Sequence, residues 1–211
     1  MLQGWGGEAL LESYERERGP VHRFVIEEAT GNHAVTGAQL WQDGLEDDTE
    51  QGAALRKAVG AKAAAAKLRE FHTLGVVLGY RYTDSPVIAT EARPASRPDF
   101  INYVPTSHPG HLAPHAWLHD GTSLYDHFGH GFTLLETGSA DGSDAESARL
   151  DARTAGVPLR VIRPQESGLK ALYPTRYTLI RPDQHVAWRG DDWPRDASNL
   201  LLQVSGRKAA G

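Results

Sequence analysis

Apolar and polar positions fall into alternating blocks along the second half of the chain. GFTLLET (131–137) is an unbroken run of aromatic, leucine and β-branched positions, the pattern of a buried strand. A break rich in Gly, Ser and Asp follows, and then DAESARLDARTAG, which predicts a polar helix stopped by Gly156. VPLRVIR (157–163) is the next strand. A helix between two apolar strands predicts parallel neighbours joined by a right-handed crossover. After a short helical piece around 167–172, YTLIR (177–181) and HVAWR (185–189) are separated only by Pro182, Asp183 and Gln184, which is hairpin spacing. PRDASNLLLQV (194–204) sets Leu200, Leu201 and Val204 on one face and predicts a last helix that stops at Gly206.

The first half reads as helices and loops. Residues 6–35 predict a helix with Leu10, Leu11, Tyr14, Val21 and Val25 near one side and a kink at Pro20. A second helix is expected from Asp47 or Asp48, with Glu50 and Gln51 placed for a capping box, to about His72. Leu55 and Val59 lie opposite Leu68 there while alanine fills positions all round, so this helix is expected to be buried on two sides. VVLGYRY (76–82) reads as a strand or extended segment, ended by a turn at Asp84-Ser85-Pro86. The expected organisation is a helical segment over 1–92, a Pro-rich linker over 93–114 and an α/β domain over 115–211.

The order β-α-β-α-β-β-α, parallel first and antiparallel last, is that of a thioredoxin-like domain with a mixed sheet. A redox member needs a Cys-x-x-Cys pair at the start of the helix after the first strand, where the helix terminus lowers the thiol pKa. The chain has no cysteine, so thiol chemistry is excluded and the domain is a scaffold, an interface or a binding surface. With 211 residues, 40% of them hydrophobic, the chain can bury one good core or two small ones. Its mixed charges, net −5, disfavour a nucleic-acid footprint. No apolar run approaches the roughly 20 residues that span a bilayer, and the first residues lack the pattern of a signal peptide. The absence of cysteine fits a cytoplasmic protein.

Two patterns mimic sites. His108, His111, His115, His119, His127 and His130 crowd one stretch, and the four-residue spacing of His111, His115 and His119 would align imidazoles for zinc on a helix. Pro109 and Pro114 interrupt that helix, Gly110 loosens it and no HExxH supplies a base, so hydrogen-bonded or surface histidines and no metal are expected. Gly4-Trp5-Gly6-Gly7-Glu8-Ala9 matches GxGxxA, but no strand precedes it to present a phosphate loop.

LLESYERERGPV, LGYRY, PGHLAPHAWLHDGTSLYDHFGHGFTLL and LIRPDQHVAWRG, taken in order, resemble the C-terminal part of the FAD-dependent aromatic hydroxylases. These are the class A flavoprotein monooxygenases, and the likeness is to the branch with a redox-inactive thioredoxin-like tail. The positions that carry the resemblance are Tyr14, Glu17, Arg18 and Pro20, then His115 and Trp117, then Arg181, Pro182 and Asp183, and finally Trp188 and Arg189. One departure is Gln184, where the family has glycine in an Arg-Pro-Asp-Gly turn; a positive φ there would strain glutamine. The resemblance implies that FAD sits on an N-terminal half whose dinucleotide motifs are not among these residues. No catalytic or cofactor-binding residue is therefore carried over, and this chain alone is expected to bind neither FAD nor NAD(P)H. The implied partners are the FAD-binding half or a second copy, with a phenolic aromatic substrate and no nucleic acid or membrane. The implied function is the C-terminal portion of an NAD(P)H- and O2-dependent ring hydroxylase, inactive alone; the alternative is a free-standing interaction module. Within that frame Trp117 and Trp188 are expected to fill the core, Tyr14 to pack its helix on a neighbour, and Glu17 and Arg18 to form a structural ion pair or cap. Tyr173-Pro174 stands where thioredoxin-like domains often hold a cis-proline.

Overall fold

The computed structural model describes residues 2–37, 41–89, 91, 99–138 and 143–207. Its sheet follows the apolar blocks: β1 (Phe132–Glu136), β2 (Leu159–Ile162), β3 (Tyr177–Ile180) and β4 (Val186–Gly190) lie in the order β2-β1-β3-β4. β1 pairs parallel with β2 and antiparallel with β3, and β3 pairs antiparallel with β4. The expected element order and mixed sheet are thus both present, with α4 (Ser143–Ala155) as the crossover, α5 (Leu169–Leu172) before β3, and α6 (Ala197–Val204) last.

The two-residue period of the central strands builds two cores. Phe132 and Leu134 of β1, Tyr177 and Leu179 of β3 and Ala187 of β4 point to one face, where Ala148 and Ala152 of α4 and Leu201 and Val204 of α6 cover them. Alanines on the buried side of α4 let that helix sit close to the sheet. Leu135, Ile180 and Val186 point to the other face and meet Leu124, Leu169 and Tyr173. Each such leucine contributes about 1.5–3 kcal/mol by leaving water. The hairpin turns through Gln184 at φ 68°, where the resembled family has glycine. No cis peptide bond occurs among the described residues, so Tyr173–Pro174 is trans and the cis-proline often held at that place in thioredoxin-like domains is not found.

In the first half α1 (Ala9–Gly37) runs through Pro20. Its start is anchored on the end of α6: Gly7 N donates to Ser205 O (2.8 Å), Ala9 N donates to Gly206 O (3.1 Å), and Trp5 meets Phe132 edge-on. α2 (Glu50–Phe71) begins later than Asp47 or Asp48, because Thr49 is its cap: Thr49 Oγ1 accepts from Gly52 N at 3.0 Å. The main chain of Asp47 lies against Gly52, where a Cβ would sit 2.1 Å from Asp47 O. Two-sided burial of α2 is not found, since Val59 is buried but Leu68 is 49% exposed. The apolar run at 76–78 is not a strand but belongs to α3 (Leu74–Leu78), and only Arg81 joins a bridge, to His111. The reason lies in its first turn, where Gly75 N and Val76 N donate to Ile101 O and Phe100 O and so satisfy two orphan amides. Among the described residues no helix is long and apolar enough to cross a membrane.

Candidate functional site

A cluster of buried charged and polar groups lies where α1 crosses the β3–β4 hairpin. α1 turns Ser13, Glu17 and Val21 inward, at successive positions four residues apart on one face. On the hairpin, Arg181 N donates to His185 O (2.8 Å) and Gln184 N donates to Arg181 O (3.0 Å), a tight turn that throws Arg181 toward α1. Arg181 Nη1 and Nη2 donate to Glu17 Oε1 and Oε2 at 2.5 and 3.0 Å. The same guanidinium serves Asp183, through Nε at 3.1 Å and Nη2 at 2.7 Å. Ser85 Oγ adds a hydrogen bond to Glu17 Oε1 at 2.6 Å. A planar fork shared by two carboxylates is a task for arginine that lysine geometry cannot fulfil.

An aromatic layer closes one side. Tyr82 stacks on His185 with ring centroids 4.4 Å apart, and the Arg181 guanidinium lies 5.6 Å from the Tyr82 ring. Arg18 donates to Tyr82 Oη (3.3 Å) and lies over the Tyr80 ring at 5.4 Å. His185 Nδ1 donates to Asp183 O at 3.1 Å. A second tie lies alongside: Arg189 holds Glu91 through two hydrogen bonds, 2.6 and 3.0 Å, and His108 Nε2 reaches the same carboxylate at 3.0 Å.

Charge settles what this cluster can do. Burial works to raise the Asp183 carboxyl, but the His185 hydrogen bond and the Arg181 charge outweigh it and bring the group down to about 2. Burial likewise opposes the Arg181 charge, yet Glu17 and Asp183 hold it above its ordinary value. Burial pushes Tyr82 up to about 12. Burial, and then the Arg81 charge, push His111 down to about 4. Asp183 and Arg181 are thereby held in their charged forms, and their ion pairs tie α1 to the hairpin as a clasp.

The structure brings Glu17, Arg18, Arg181 and Asp183 together, with Pro182 in the turn, Pro20 three residues on in α1 and Arg189 in the second tie. Three expectations are corrected. Glu17 pairs with Arg181 and not with Arg18, because consecutive helical side chains diverge by about 100°. Tyr14 is 70% exposed, on a strip of α1 that no described neighbour covers. Trp117 is 72% exposed and lies outside both cores, because it stands in a two-stranded bridge with Ser123 and rests edge-on against His115 at 5.0 Å. Trp188 does pack on the core, half-buried against Trp193. Tyr82, Ser85 and Glu91 were given no role from sequence, since their partners lie 64 to 98 residues away.

The histidines disperse: His115 meets Ser123 Oγ (2.9 Å), His119 meets Glu166 (3.1 Å) and His127 meets Thr122 Oγ1 (2.8 Å). Among the described residues no three His, Asp or Glu side chains form a group that could hold a metal ion. The GxGxxA match does not fit a flavin pyrophosphate. Its Gly7 and Ala9 amides are spent on Ser205 and Gly206 carbonyls, and a Cβ at Gly7 would stand 2.1 Å from Gly206 O, so the glycine serves a chain crossing.

Comparison with known proteins gives this geometry a family. Residues 106–207 match the family model described as aromatic-ring hydroxylase, C-terminal. The chain is 35% identical to the FAD-dependent monooxygenase apdD of Emericella nidulans, over 98% of this chain and 35% of that protein. It is 30% identical to the aklavinone 12-hydroxylase RdmE of Streptomyces purpurascens, over 97% of this chain and 36% of that protein. Among solved structures, the rebeccamycin biosynthetic enzyme RebC with reduced flavin superposes with a TM-score of 0.86 at 37% identity, covering 98% of this chain and 38% of that one. Residues 106–207 carry the C-terminal region of the aromatic-ring hydroxylases, and the chain as a whole is similar to part of FAD-dependent monooxygenases. It spans about a third of the length of these two curated relatives.

Proposed function

We propose that this chain is the C-terminal portion of an FAD-dependent, NAD(P)H- and O2-dependent hydroxylase of phenolic rings. The observation that carries the reading is the agreement over 98% of the chain with an FAD-dependent monooxygenase. Flavin is held by a part of the enzyme outside this chain, which alone binds neither FAD nor NAD(P)H. Residues 115–211 form a thioredoxin-like domain without a thiol, a reading supported by the strand order β2-β1-β3-β4. Residues 1–92 complete the flavin and substrate part, 93–114 connect the two, and the Glu17–Arg181 clasp fixes one to the other. Exposed Leu11, Tyr14, Leu68, Phe71, Leu74 and Val77 in that first segment support a covering partner, since scattered single residues would need no explanation but this many on three helices do. The missing cysteines fit a cytoplasmic setting.

Reconstitution tests the proposal. The portion of the Emericella nidulans relative outside the matched region, loaded with FAD, is mixed with this chain and assayed for NADPH oxidation dependent on a phenolic substrate. Activity that requires both parts is the expected result. Turnover by this chain alone would overturn the assignment.

A further inference from the structure

Arg81 and His111 stand opposite each other in an antiparallel bridge beside the β3–β4 hairpin. Directly opposed residues of such a pair carry their side chains on one face, with Cβ atoms about 4.5–5.5 Å apart. Main-chain bonds fix the place: Tyr82 N donates to Gly110 O (2.9 Å), Gly110 N donates to Val186 O (2.8 Å) and Val186 N donates to His111 O (2.9 Å). Tyr82, the next residue after Arg81, turns to the opposite face and stacks on His185, so this face is separate from the Glu17–Arg181 clasp.

Buried polar atoms gather here without protein partners. Ser107 is fully buried, His111 is 8% exposed and Arg81 is half-buried. Among the described residues Arg81 Nε, Ser107 Oγ and His111 Nε2 make no hydrogen bond. Buried donors are nearly always bonded, so three on neighbouring residues call for a common acceptor. Their neighbourhood is shared: His108, next in sequence to Ser107, packs edge-on to His111 with ring centroids 6.2 Å apart.

Charge decides what that acceptor is. Arg189 is spent on Glu91 through two hydrogen bonds, and His108 Nε2 reaches the same carboxylate. Arg81 has no described carboxylate beside it, and burial lowers its pKa. Burial, and then the Arg81 charge, hold His111 neutral at ordinary pH. A metal cation would meet a guanidinium here and no free carboxylate. A water molecule can accept from the donors but leaves the arginine charge uncompensated.

We propose that Arg81, Ser107 and His111 form a binding site for a small monovalent anion such as chloride, with Arg81 Nε, the Ser107 hydroxyl and His111 Nε2 as its donors. One negative charge offsets Arg81, whereas a divalent anion would bring a second charge that nothing there pairs.

Chloride NMR on the purified chain tests this, with bromide as competitor and melts in sodium chloride and sodium gluconate at equal ionic strength alongside. The unaltered chain is expected to broaden the chloride line, to lose that broadening to bromide, and to melt at a higher temperature in chloride than in gluconate. Arg81→Gln should lose most of the broadening and the difference between the two salts, and Ser107→Ala should reduce both. Circular dichroism checks that each variant is folded; where Arg81→Gln does not fold, the reduction in Ser107→Ala carries the test. Equal melting in the two salts with no broadening by the unaltered chain overturns the proposal and leaves water as the acceptor. Broadening that both variants keep in full places the anion elsewhere and overturns it as well.

Discussion

Glu17 on the first helix and Arg181 on the last hairpin form a two-bond ion pair, 2.5 and 3.0 Å, across 164 residues of chain. Both side chains are nearly buried, at 5% and 10% exposure, so the pair is screened little by water. Such a pair is weak evidence of net stabilisation, but removal of one partner strands the other charge inside the protein. Arg181→Ala, which strands the Glu17 charge and leaves Asp183 with His185 as its partner, is expected to cost about 3–5 kcal/mol. Arg181→Lys should recover part of the loss, since one ammonium cannot serve two carboxylates with a planar fork. Urea denaturation reads this directly, and an unchanged midpoint for Arg181→Ala would contradict it.

Gln184 turns the hairpin at φ 68°, a left-handed conformation that a non-glycine residue adopts at a cost of about 1–2 kcal/mol. Gln184→Gly relieves that cost and gives back part of it through the greater freedom of the unfolded chain. The expected net gain is about 0.5–1 kcal/mol, seen as a higher melting temperature. A lower one would show that the glutamine side chain contributes more than its backbone strain.

Stability should fall on mild acidification. His111, bridged to Arg81 and edge-on to His108, has its pKa pushed down to about 4 by burial first and by the charge of Arg81 second. A histidine that protonates less readily folded than unfolded contributes nothing against the fold above about 6.5 and progressively opposes it as pH falls toward 4. The full effect is at most about 3 kcal/mol. Below that window Asp183, held down to about 2, extends the loss as pH falls from about 4. Denaturation at a series of pH values should show the slope, and His111→Leu should flatten its upper part. A slope between pH 6.5 and 4 that His111→Leu leaves intact would assign it elsewhere.

Two glycines make a paired test of the N-terminal crossing. A Cβ at Gly7 would meet Gly206 O at 2.1 Å, backbone against backbone, so Gly7→Ala should destabilise by about 1–3 kcal/mol. Gly60, in the middle of α2, has nothing within 4 Å of the same added atom, and Gly60→Ala should stabilise by about 0.5–1 kcal/mol through helix propensity. Thermal melts of the two variants moving in the same direction would contradict the packing described at Gly7.

The β-α-β-α-β-β-α order was legible because the sheet buries both faces of β1 and β3, so each strand is a short apolar run with turn residues at its ends. A positive φ at Gln184 was suggested only by the resemblance, through the glycine that the family has in the Arg-Pro-Asp-Gly turn. The segment at 76–78 was not, since a short apolar run does not distinguish a strand from one helical turn until the carbonyls of Phe100 and Ile101 are seen to satisfy its amides. Trp117 and Tyr14 misled for a related reason: an aromatic residue in an ordered motif reads as core, and only the fold reveals which side it faces. The motifs that hold Glu17 and Arg181 were both visible, but nothing in the pattern of either showed that they touch.

The most direct measurement is a titration of the purified chain with FAD, followed by flavin fluorescence and absorption. The account expects no saturable change, because the one glycine-rich match has its amides committed to Ser205 and Gly206 and its glycine pressed against the Gly206 carbonyl. A stoichiometric flavin complex formed by this chain alone would contradict it.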